Sequence, residues 1–189
     1  LDEHQMSEEW EYLMAVELLP FLQPTKPRQE IVTHFLETAK YSDSRAALIK
    51  NCIRSDWKMS KPLLKQLAAN ERVRWTLYAA LEEQGKVGRF PRKYAHPDSL
   101  AIGIFMSYEY KTLPSKVRLI QRFTHTVEGQ SVQGYLFLFG EESYGSAGMV
   151  GFFDRKGRPI TPVKRLEPYQ PWEKHTPEEH IERLLEKIT

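Results

Sequence analysis

The feature that most constrains this 189-residue chain is a change in the period of its apolar residues near position 113. Upstream they recur at steps of three and four, which gathers side chains on one face of an α-helix. Downstream they alternate, which gathers them on one face of a β-strand. Helices that come first and strands that come after predict the α+β class. The expected organisation is a helical region over 1–112, then a three- to four-stranded antiparallel sheet with a closing C-terminal helix over 113–189.

Local signals mark the helix starts. Between Ser7 and Leu22, the residues Trp10, Leu13, Met14, Leu18 and Phe21 keep helical spacing, with Pro20 ending or kinking the segment. Thr25-Lys26-Pro27, Ser60-Lys61-Pro62 and His96-Pro97-Asp98 each place a proline in a first helical turn, where its missing N–H leaves no bond unmade. Ser42-Asp43-Ser44 and Asn70 supply further caps, and Gly85 suits a helix end. Five faces should point inward: Ile31, Val32, Phe35, Leu36 and Ala39; Ala46, Ile49, Cys52 and Ile53; Leu63, Leu64 and Leu67; Val73, Leu77, Tyr78 and Leu81; and Leu100, Ile104, Phe105 and Tyr108.

Pro27, Pro62 and Pro97 are spaced thirty-five residues apart. That interval suits one helix pair of a solenoid repeat, and it also suits an unrelated helical bundle. The segments Lys26-Pro27-Arg28-Gln29-Glu30-Ile31-Val32 and Lys61-Pro62-Leu63-Leu64-Lys65-Gln66-Leu67 resemble HEAT or armadillo-type helical repeats, over residues 7–110. The resemblance implies a partner-binding scaffold and carries over no catalytic residue.

In the second part Val117, Leu119, Phe123 and Val127 alternate with Arg118, Arg122, Thr124 and Thr126, as in a strand buried on one face. After a turn at Glu128-Gly129-Gln130-Ser131, the run Val132 to Phe139 is apolar on both faces, as a central strand requires. Met149 to Phe153 reads as a third strand, followed by a turn at Asp154-Arg155-Lys156-Gly157. Pro159 and Pro162 confine any fourth strand to an edge. Thr176-Pro177-Glu178-Glu179 combines a cap, a first-turn proline and a glutamate placed to close a capping box. The helix it starts carries Ile181, Leu184, Leu185 and Ile188 on one stripe, which the sheet should cover.

Charge is uneven along the chain although the net charge is only +2. Residues 1–39 are acidic, whereas 40–93 carry thirteen lysines and arginines against few acids, with Trp57 and Trp75 among them. Lys58, Lys61 and Lys65 are the candidate interaction surface. We expect a noncatalytic protein-interaction or scaffold module with a protein partner. Nucleic-acid binding through the basic segment 40–93 is the alternative, because clustered cations with aromatic rings suit phosphates and bases.

The chemistry-bearing residues are sparse. His4, His34, His96, His125, His175 and His180 are scattered without zinc-ligand spacing, and His175 and His180, five apart across a helix start, should not share a face neatly. Glycines lack the spacing of a phosphate loop. No catalytic residue, metal or cofactor is therefore expected. His125, in phase with Gln121 and the apolar residues of its strand, would with Glu141 or Glu142 be the site of a second alternative, an enzyme. Cys52 lies on an apolar helical face, as a core thiol would. A single cysteine fits a reducing compartment, and no run approaches the roughly 18 apolar residues that span a bilayer. The expected setting is the cytoplasm, away from membranes. The first residue is Leu1 rather than methionine, so the chain is expected to come from a larger protein.

Overall fold

Proline or a small polar residue limits the ways a chain can leave an extended path, and the helices begin where such residues stand. The computed structural model describes residues 25–38, 42–107, 117–127, 130–139, 146–151, 164–165 and 175–186. Helices α1 (Lys26–Thr38), α2 (Ser42–Arg54), α3 (Lys61–Ala69), α4 (Glu71–Glu83) and α5 (Pro97–Ser107) come first. Strands β1 (Val117–Val127), β2 (Gln130–Phe139), β3 (Ser146–Gly151) and β4 (Lys164–Arg165) follow, and helix α6 (Pro177–Glu186) comes last. The protein is α+β. Contacts gather the chain into two compact units, Leu1–Ala95 and His96–Thr189.

In the first unit α4 is the central element, packing against both α2 and α3. Its buried Val73, Leu77, Tyr78 and Leu81 meet the buried faces of α2, with Leu48, Ile49, Cys52 and Ile53, and of α3, with Leu63, Leu64 and Leu67. One residue joins α3 to α4. The Asn70 N–H donates to the carbonyls of Gln66 and Leu67, while its side-chain oxygen accepts from the Arg72 N–H at 3.0 Å. Arg74 completes the joint from the first turn of α4. Only 5% exposed, it donates from Nε to the Ala68 carbonyl at 2.7 Å and from Nη2 to the Ala69 carbonyl at 3.1 Å. These carbonyls lie in the last turn of α3, where intrahelical partners run out. Burial lowers the Arg74 pKa from its ordinary value, while Glu71 and Tyr94 support the charge.

Helices α2 and α4 end alike. Trp57 N–H donates to the Cys52 carbonyl and Asp56 N–H to that of Ile53; Lys86 N–H donates to Leu81 and Gly85 N–H to Glu82. Each is the paired bond set that ends a helix through a left-handed residue, at Asp56 with φ 58° and at Gly85 with φ 66°. Arg54 pairs with Glu83 at 3.2 Å and Asp56 with Lys86 at 2.7 Å, so the two ends lie side by side.

One inward assignment fails on α1. Ile31 is 51% exposed, while Val32 and Leu36 are buried. The stripe is centred on those two, and Ile31 sits about 100° around the helix from Val32.

The second unit is built on the antiparallel β1–β2 hairpin, with strands in the order β1-β2-β3-β4. Gln130 and Ser131 belong to β2 rather than to a turn, and Val127 pairs with Gln130. The register shifts between Leu119 and Gln121, so Leu119 stands opposite Phe137 but Gln121 opposite Leu136. A bulge of this kind moves every later side chain to the other face. The uninterrupted alternation expected from Val117 through His125 is thereby corrected: Leu119 shares the Phe137 face, and Phe123 and His125 share the Leu136 face. Phe123 covers Gly134 opposite it, where a Cβ would collide with the ring.

Both faces of β2 are covered. Helix α5, buried nearly all round through Leu100, Ala101, Ile104 and Phe105, lies on the Phe137 face with ring centroids of Phe105 and Phe137 5.1 Å apart. Arg122 holds Asp98 at its start through a two-pronged ion pair, Nε to Oδ1 at 2.7 Å. Position 113 lies outside the described residues, between the end of α5 at Ser107 and the start of β1 at Val117, and the compact units divide before α5, which packs with the sheet. Helix α6 contacts β2 and β3, and Gln121 donates to Glu178 at its start at 3.1 Å. The capping box is formed: Thr176 N–H donates to the Glu179 carboxylate at 2.9 Å, and Glu179 N–H to the Thr176 hydroxyl at 3.3 Å. Ile181 is buried and Leu185 half-buried; the Leu184 side chain and Ile188 lie outside the described residues. So do the segment Ser7–Leu22, Ala39, Tyr108, Phe153, the turns at Glu128-Gly129 and Asp154–Gly157, and Pro159 and Pro162.

Candidate interaction groove

The chain between α2 and α3 and the chain after α4 run alongside each other because matching helix ends deliver them to the same side of the first unit. Lys86 bonds Asp56 across this gap. Trp57, 4% exposed, anchors the first segment in the core. Phe90 anchors the second, edge-on to Tyr78 with centroids 5.2 Å apart. Between the anchors, two single-turn 3-10 helices, Val87–Arg89 and Arg92–Tyr94, bring Gly88, Arg89 and Pro91 opposite the first turns of α3.

Helix α3 is set by Ser60, whose hydroxyl accepts from the Leu63 N–H at 3.2 Å, and by Pro62 in its first turn. That cap fixes which residues face the gap: Leu64 is buried there, and Lys61 and Lys65, four apart on one face, are exposed beside it. The result is a groove of about 550 Å³. Its floor is Met59, Leu64 and Pro91, and its rim is Lys61, Lys65 and Arg89. No carboxylate lines it among the described residues. Asp56, nearby, is committed to Lys86; that hydrogen bond and charge hold its carboxyl below the usual value, and Arg89 and Lys58 add to the effect. The whole corner is electropositive.

Of the three lysines singled out in the sequence, Lys61 and Lys65 meet at the groove. Lys58 is exposed close by without lining it. Arg89 is the residue that helical spacing misses, because it comes from a 3-10 turn beyond α4. The signal available was Phe90, a large aromatic residue in a largely polar stretch after α4, whose burial against Tyr78 brings its neighbours with it.

Several other cations of 40–93 are engaged internally. Arg74 caps α3, Arg54 pairs with Glu83, and Lys86 with Asp56. Trp57 is in the core, and Trp75 stacks on Tyr78 with centroids 5.7 Å apart. His125 is half-buried on β1 opposite Val132, and Glu141 and Glu142 lie outside the described residues. His175 and His180 do approach each other, with ring centroids 5.7 Å apart, because His175 sits just before the helix and its Nδ1 lies 3.3 Å from Glu179. Buried Cys52 has its thiol pushed up to about 12 by burial, which suits core packing rather than nucleophilic attack. No described helix is long and apolar enough to cross a membrane.

Comparisons with protein-family models, with curated proteins and with solved structures each found no match.

Proposed function

We propose that this chain is a noncatalytic protein-interaction module that acts through the basic corner of its helical unit. The observation that carries the proposal is the convergence of Lys61, Lys65 and Arg89 on one apolar-floored groove. What gathers there is cationic charge and hydrocarbon, the material of recognition rather than of acid–base chemistry. Two successive helix pairs, α1–α2 and α3–α4, with α2 and α4 packed together and closed by matching turns, support the likeness to HEAT-type repeats. The lone buried thiol supports a cytoplasmic setting.

The experiment is charge reversal. Lys58→Glu, Lys61→Glu and Lys65→Glu together should slow association with a protein partner captured from native lysate and reduce its salt dependence. Folding should be unaffected, because exposed lysines contribute little to stability. Undiminished capture by a folded triple variant rejects the surface, and capture of nucleic acid alone favours a nucleic-acid role for segment 40–93.

A further inference from the structure

We infer that the groove takes an acidic peptide segment: one large apolar side chain enters over Met59, Leu64 and Pro91, and carboxylates on either side of it meet Lys61, Lys65 and Arg89. This rests on the helical unit being a protein-interaction module and adds the chemistry of what it binds.

Three features select this occupant. A space of about 550 Å³ is within the range of small-molecule pockets and accepts one or two large side chains, not a folded domain. The floor is hydrocarbon, so part of the ligand must be apolar. The rim is wholly cationic, so the groups around that part must be anionic. Lys61 and Lys65 follow the axis of α3, one turn apart, while Arg89 faces them from the 3-10 turn. Acids on both sides of an apolar residue answer that placement. Nucleic acid answers it less well. No aromatic ring lines the groove among the described residues to stack a base, and only Lys61, Lys65 and Arg89 line it to meet phosphates.

Gly88 gives the means of testing insertion apart from charge. It lines the groove, and a Cβ built there meets nothing within 4 Å. Gly88→Trp therefore adds a bulky ring at the groove wall with no clash at its Cβ and no change of charge.

The intact chain would be panned against a displayed library of random peptides, and the best binders measured by fluorescence anisotropy at low and high salt. Enrichment of peptides with two or three acids flanking a leucine, phenylalanine or methionine is the expected result. Gly88→Trp should weaken the best of them at least about tenfold, with an unchanged melting temperature. Lys61→Glu with Lys65→Glu should weaken it comparably and flatten its salt dependence, each tenfold corresponding to about 1.4 kcal/mol. The inference is overturned if no peptide is enriched, if the enriched peptides lack acids, if Gly88→Trp binds them as well as the native chain, or if random single-stranded oligonucleotides displace them while binding tighter. A protein partner whose capture depends on Lys58, Lys61 and Lys65 yet ignores Gly88→Trp would retain the interaction module and remove only the groove as its ligand site.

Discussion

Cys52 shows how one residue's chemistry is decided by where the helix puts it. At 3% exposure it packs in the core of the first unit, and burial holds its thiol at about 12 against an ordinary 9.0. Thiolate is the reactive form, so a neutral-pH disulfide reagent should label Cys52 at least about a hundredfold more slowly in the folded chain than in urea. Equal rates would mean that the helical core opens readily. The position of Cys52 is legible in sequence, being in step with Ile49 and Ile53. That of Arg74 is not. Spacing groups it with the surface cations of 40–93, whereas the structure buries it against α3. A guanidinium finds such a place when helix-end carbonyls need donors, a need that arises only once two helices meet at a sharp joint. The same limit applies to the candidate site: Lys61 and Lys65 are legible from their helical offset, while Arg89, Gly88 and Pro91 join them through the tertiary anchor of Phe90.

At the scale of elements, Arg74 supports a direct test of that joint. Arg74→Met keeps an apolar stem but leaves the Ala68 and Ala69 carbonyls without their charged donor. Urea unfolding should report a loss of about 1.5–3 kcal/mol, the range for hydrogen bonds to charged groups. Arg74→Lys should recover only part of it, since an ammonium lacks the planar fork that reaches two carbonyls. A loss below about 0.5 kcal/mol would refute the role, being no more than an ordinary surface substitution costs. Helix starts are legible here because caps and first-turn prolines act within four residues: Ser60, Asn70 and Thr176 all perform the bonds their positions imply. Strand faces are less so. The alternation in β1 breaks at Leu119-Ile120-Gln121, two apolar residues followed by a polar one, yet only the pairing with β2 identifies that break as a bulge.

Over the whole molecule, acid should act on the second unit in two stages. His180, fully buried, is held below the ordinary imidazole value first by burial, then by His175 and Arg183, with Glu179 opposing. The unfolded chain takes up that proton at about pH 6.5. The contribution of neutral His180 is thus complete above about 6.5 and is lost as pH falls below it toward the folded value. Glu179 is held low mainly by the Thr176 N–H, and Glu178 by backbone and Gln121 bonds. Their contributions are present above the ordinary 4.5 and vanish below it. Melting of the native chain should therefore begin to fall below about pH 6.5 and fall again below about 4.5. His180→Gln should abolish the first stage and leave the second. A flat profile between about pH 7 and about pH 5 would exclude the assignment. The single-residue joint at Asn70 has a consequence of another kind. Because the direction of α3 relative to α4 is settled during folding, the backbone beneath Lys61 and Lys65 has little freedom left to lose when a ligand arrives. The ordering cost of binding then falls on the lysine side chains and not on the helix that carries them.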